Sequence, residues 1–192
     1  MRQFIVDQFK VEQFDTRKAM GRAAARAVHD KLLTLLKEKP LNQISIYELC
    51  AASQINRTTF YKYYGSQTDL LKEIEADFFA QLDEDLKPII EQNPDALISV
   101  LNHLHEQREL FCTLVKVIPT QDFAEHLFTI PSIARIFRNM ADAGNYSESE
   151  AKYIRRFVFQ GTFAVLCDWL ESENPEPVSE IAGVLSLLKS RL

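Results

Sequence analysis

Residues 45–71 read SIYELCAASQINRTTFYKYYGSQTDLL. Ser45 belongs to the residue types whose side-chain oxygen accepts from the free N–H groups of a helix start. Glu48, three residues on, completes the Ser-x-x-Glu pattern of a capping box. A helix of about two turns is expected after Ser45, with Ile46, Leu49 and Cys50 turned inward. Ser53–Gln54–Ile55 interrupts it, and Asn56 is placed to cap a second short helix, Arg57–Tyr63. Two short helices, a three-residue turn and an apolar residue closing that turn make a helix-turn-helix pattern. Gly65 then breaks the chain, and Ser66 caps a long helix that begins Gln67–Thr68–Asp69–Leu70–Leu71.

Ile55 and Phe60 have to pack the second short helix on the first. That leaves Arg57, Thr58, Tyr61 and Lys62 facing outward: hydrogen-bond donors, a methyl-bearing hydroxyl and a phenol. Such side chains read major-groove edges and hold phosphates when a helix N-terminus enters the groove. The competing reading of RTTFYKYY is an aromatic helix face buried in a core. A core helix would not set Arg, Thr and Lys among those rings on the open side.

Upstream, Ala24, Val28, Leu32, Leu35 and Leu36 keep a period near 3.6 and predict a helix from about Arg17 to Lys37. Lys18, Arg22 and Arg26 fall on roughly its opposite face. Pro40 ends it, and Leu41–Ile44 is a connector. Residues 1–16 alternate Phe4, Ile5, Phe9, Val11 and Phe14 with polar residues, and the pattern assigns them no role beyond an arm. Downstream, Leu70, Leu71, Ile74, Phe78, Leu82 and Leu86 carry the long helix to about Lys87–Pro88. Further helices are expected near 94–107, 108–117, 120–142, 147–172 and 178–190, with Pro131 kinking or splitting the third of these. The fold class is all-α.

The composition agrees. Only 5 Gly and 7 Pro in 192 residues suit helices better than a sheet with many tight turns. The net charge of −5 hides an asymmetry. Residues 17–64 hold nine bases (Arg17, Lys18, Arg22, Arg26, Lys31, Lys37, Lys39, Arg57, Lys62) against Asp30, Glu38 and Glu48, whereas residues 65–192 hold 11 bases against 21 acids. A basic head on an acidic body is expected where only the head meets phosphate. No apolar run has the length of a signal peptide core or a bilayer span, so a cytoplasmic protein without a membrane partner is expected. Cys50, Cys112 and Cys167 are odd in number and widely spaced, which fits buried thiols in a reducing compartment. His103 and His105 point to opposite sides of one helix and make no metal pair. With no nucleophile elbow, HExxH or glycine-rich phosphate loop, neither enzymatic activity nor a metal or cofactor is expected.

Residues 45–71 resemble the TetR family of bacterial transcriptional regulators: a Ser-capped helix, the turn, an aromatic-rich second helix, then a capped helix opening on a Leu-Leu pair. Residues 153–170, YIRRFVFQGTFAVLCDWL, resemble the Gly-centred, Trp-ending penultimate helix of some members. The resemblance implies an N-terminal arm over 1–16, a helix-turn-helix DNA-binding domain over 17–65 and a helical effector-binding and dimerisation domain over 66–192. It implies that Ser45, Tyr47, Arg57, Thr58, Thr59, Tyr61, Lys62 and Tyr63 face DNA. Three departures stand out: Gln54 where the family usually has Gly, Tyr63 where His is common, and Gln67 in place of a usual Lys. Gln54 is therefore expected to take φ > 0 at some cost.

The implied function is a homodimeric regulator on an inverted-repeat operator in double-stranded DNA. It would be a repressor released by an unknown small-molecule effector held in an apolar cavity. The alternative is a TetR-like helical module that docks a protein partner instead of DNA. Independently of the resemblance, the 147–172 helix carries two apolar stripes: Ile154, Phe157, Val158, Gly161 and Val165, and Phe159, Phe163, Leu166 and Leu170. A helix apolar on two sides has to bury both.

Overall fold

The computed structural model describes residues 21–190 apart from 92, 94 and 145. The expected arm over 1–16 and Lys18 lie outside the described residues. Ten α-helices and no strand occur among the described residues: α1 (Arg22–Leu36), α2 (Ile46–Ser53), α3 (Arg57–Tyr63), α4 (Gln67–Ile90), α5 (Ala96–Glu106), α6 (Arg108–Val117), α7 (Thr120–Phe128), α8 (Pro131–Ala143), α9 (Glu148–Glu171) and α10 (Val178–Ser190). By packing, the chain divides within α4 into a unit ending at Phe78 and a unit beginning at Phe79.

In the first unit, α1 packs chiefly on α2, and α2 on α3. Helix α1 is described from Arg22, with Gly21, at φ 76°, ψ 128°, outside helical geometry at the N-cap position; residues 17–20 of the expected helix lie outside the described residues. Ala25, Val28, Leu32 and Leu35 form its buried stripe, and Ala24 and Leu36 flank it half-buried. A single 3-10 turn, Leu41–Gln43, leads to buried Ile44. Leu49 and Cys50 of α2, Phe60 of α3, and Leu70, Leu71 and Ile74 of α4 complete this core. Each fully buried large side chain stabilises by about 1.5–3 kcal/mol relative to exposure.

In the second unit, α10 packs on α5 and α9 on α6. Pro131 does split the 120–142 segment: α7 ends at Phe128, and the proline stands at the start of α8, where its missing N–H costs no intrahelical bond. Asp83 Oδ1 of α4 accepts from the Ser132 backbone N–H at 2.8 Å, placing a carboxylate on the first turn of α8. Pro88 does not stop α4, which continues to Ile90. The body's core is aromatic, with the Phe123 ring 5.1 Å from Phe79, 6.0 Å from Phe111 and 6.1 Å from Phe163. His103 binds Asp85 of α4 and Gln107, while His105 lies against the Trp169 ring at 5.5 Å. No helix among the described residues is long and apolar enough to cross a membrane.

Candidate nucleic-acid interface

The helix-turn-helix is built by three caps. Ser45 Oγ accepts from the Glu48 backbone N–H at 3.1 Å and starts α2. Asn56 Oδ1 accepts from the Thr58 N–H at 2.9 Å and starts α3. Ser66 Oγ accepts from the Asp69 N–H at 3.2 Å and starts α4. The first cap is not the reciprocal box that its sequence suggests. Both Glu48 carboxylate oxygens accept from Lys39 Nζ, at 2.6 and 2.7 Å, so the carboxylate joins the connector after α1 to α2. A cation outcompetes a neutral backbone N–H for a carboxylate.

The turn closes on Gln54, which takes the left-handed conformation at φ 57°, ψ 33°. That reverses the chain so that the Ile55 N–H donates to Cys50 O at 3.1 Å, a six-residue closure of the helix end. Inside α2, Ser53 Oγ donates to Leu49 O at 2.6 Å, which satisfies a buried hydroxyl.

With the turn so closed, the two short helices meet over Phe60, which is fully buried. Its ring lies 5.3 Å from Tyr64 and 5.9 Å, edge-on, from Tyr61. The opposite side of α3 is open. Arg57, Thr58, Tyr61 and Lys62 are exposed there, Tyr61 to 50%, and Tyr47 of α2 stands out at 71%. Ser45 is exposed beside Tyr47, whereas Thr59 and Tyr63 are only half-buried rather than open. Cations stack along this face: the Arg57 guanidinium lies 6.0 Å from the Tyr61 ring and Lys62 Nζ 5.6 Å from Tyr63. Gln67, at the first position of α4, is half-buried.

Sequence reasoning missed one feature of this unit. Tyr64, the residue after α3, is buried with its hydroxyl 3.3 Å from Glu73 Oε1 and 3.5 Å from His29 Nε2. The spacing from Phe60 to Tyr64 places both rings on one side, yet nothing local names the partners on α1 and α4. Elsewhere, burial pushes the Cys50 and Cys112 thiols above their ordinary range. Among the described residues, no group of three or more His, Cys, Asp or Glu side chains is arranged to hold a metal ion.

Residues 91–189 match the family described as the C-terminal region of transcriptional regulators. No curated protein matches the chain. Among solved structures, a TetR transcriptional regulator from Streptococcus agalactiae superposes with a TM-score of 0.62 at 19% identity, over 94% of this chain and 98% of that one. A protein described as the dihydroxyacetone kinase operon activator DhaS superposes with a TM-score of 0.57 at 20% identity, over 88% of this chain and 94% of that one.

Proposed function

The chain belongs to the TetR family of transcriptional regulators, and on that premise we propose that it binds a specific operator in double-stranded DNA as a cytoplasmic homodimer. Residues 17–65 act as the DNA-binding domain and residues 66–192 as the effector-binding and dimerisation domain. Ser45, Tyr47, Arg57, Thr58, Thr59, Tyr61, Lys62 and Tyr63 form the contact surface. The observation that carries this reading is the open row Tyr47, Arg57, Thr58, Tyr61 and Lys62 standing over a wholly buried Phe60. Arg57 and Thr58 lie at the start of α3, where side chains reach base edges. Tyr61 and Tyr63 lie further along, where phenol hydroxyls meet phosphate.

Dimerisation is supported by the second apolar stripe of α9. Phe159 and Leu170 of one stripe are buried, whereas Phe157 on the other is 68% exposed, and Val184 and Leu187 are exposed on α10. A Cβ at Gly161 would meet nothing within 4 Å of its own chain, so the chain itself does not require glycine there. Repression relieved by a small-molecule effector is the mode we propose. The neighbour described as an operon activator makes activation the reading to be separated from it.

Sequencing genomic fragments captured by the purified protein tests the binding mode. A two-fold dimer should select an inverted repeat with half-sites spaced by whole helical turns, about 10 bp each. Transcription from the captured promoters should rise when the protein is removed if it represses, and fall if it activates. Recovery of fragments with no shared sequence would transfer support to a helical module that docks a protein.

A further inference from the structure

We infer that Tyr64, Glu73 and His29 position the recognition helix α3, and that the Tyr64 hydroxyl thereby sets base discrimination. This inference rests on the proposed reading of DNA by α3. The three polar groups form a closed triangle: Tyr64 hydroxyl to Glu73 Oε1 at 3.3 Å, Tyr64 hydroxyl to His29 Nε2 at 3.5 Å, and His29 Nε2 to Glu73 Oε1 at 3.4 Å. Tyr64 and Glu73 are buried and His29 is half-buried. His29 lies on α1 and Glu73 on α4, so the residue that ends α3 is tied to the helix before the motif and the helix after it. Tyr64 is no longer helical, at φ −128°, ψ 127°, and its N–H donates to Phe60 O at 2.9 Å.

A phenylalanine at position 64 would fill the same space against Phe60, so packing alone does not call for the hydroxyl. Burying a carboxylate is costly unless hydrogen bonds satisfy it. What the pair adds is direction. Apolar contact between Phe60 and the core is non-directional, whereas a phenol donating to a carboxylate restricts both distance and angle. The helix has seven residues, about 10 Å of length, so a small rotation at its Tyr64 end displaces Arg57 and Thr58 at the other. Base-edge hydrogen bonds fail under a shift of that kind. Contacts from long side chains to phosphate adapt to it.

The test is a titration of full-length variants against the captured operator and against scrambled DNA, at a temperature where circular dichroism shows every variant folded. Tyr64→Phe should weaken operator binding about 10-fold and change binding to scrambled DNA less than about 2-fold. Glu73→Leu should behave alike, and the double variant should be no worse than either single one. Glu73→Gln, which keeps an acceptor for the phenol, should recover most of the operator affinity. If Glu73→Leu fails to fold, Tyr64→Phe with Glu73→Gln still decides. Equal losses on both DNAs, or a lowered melting temperature with an unchanged affinity ratio, overturn the positioning role. Arg57→Ala separates the two levels. If it flattens discrimination while Tyr64→Phe does not, only the positioning falls; if neither variant alters discrimination, the reading of bases by α3 falls too and takes the positioning with it.

Discussion

Gln54 holds the left-handed backbone that reverses the chain between α2 and α3, at φ 57° and ψ 33°. For a residue with a Cβ this conformation costs about 1–2 kcal/mol. Glycine removes that strain but loses about 0.4–1 kcal/mol through the greater freedom of its unfolded chain. Gln54→Gly should therefore raise the stability of the head by up to about 1.6 kcal/mol, read from the urea midpoint; a loss would mean that the glutamine side chain makes a compensating contact. Phe60→Ala should have the opposite sign and cost about 3–5 kcal/mol, because the ring is fully buried between the two short helices. At Cys167, burial first, then the charges of Glu171, Cys112 and Asp168, pushes the thiol up to about 11. A raised thiol pKa favours the neutral form in the folded chain, so its stabilisation is present below the ordinary value of 9.0 and is lost as pH rises toward 11. At pH 8 the thiolate is then about 100-fold scarcer than in the unfolded chain, and labelling of Cys167 followed by mass spectrometry should slow by a similar factor. Labelling as fast as in urea would refute the burial argument.

Helix boundaries test how far local chemistry reaches. Ser45, Asn56 and Ser66 cap the helices they precede, because a cap needs only its own side chain and the next turn. α9 carries a complete capping box, Ser147 accepting from the Glu150 N–H at 3.3 Å and Glu150 accepting from the Ser147 N–H at 2.9 Å. Ser147→Ala should cost about 1 kcal/mol in thermal unfolding. Hydrogen bonds from the Ser147 hydroxyl and then its N–H hold the Glu150 carboxyl below its usual range. This support to α9 is therefore present above the usual carboxylate pKa and lost as acid protonates Glu150 below it. The box at Ser45 is only half made, since Lys39 takes the Glu48 carboxylate. No local pattern foretells that, because Lys39 reaches Glu48 only after Pro40 and the 3-10 turn have folded the end of α1 back over α2.

For the molecule as a whole, the apolar surface on α9 and α10 carries the prediction of assembly. Gly161→Glu with Val165→Glu should give monomers by light scattering; a wild-type monomer at micromolar concentration would end the dimer proposal. DNA affinity should fall with salt at a slope near −0.9 per phosphate neutralised, and modestly, since the exposed bases on the face of α3 are Arg57 and Lys62. The all-α class, the helix-turn-helix at 45–63 and the outward set Arg57, Thr58, Tyr61 and Lys62 were legible in the sequence. Caps, breakers and the 3.6-residue period act within one or two turns, and those elements depend on little else. The structure alone decided which stripe of α9 is buried, since both have the same period and only neighbouring helices distinguish them. It also brought His29, Tyr64 and Glu73 together. Their meeting depends on how α1, α3 and α4 cross, and crossing is set by the packing of whole helix faces, which no residue carries in its local sequence.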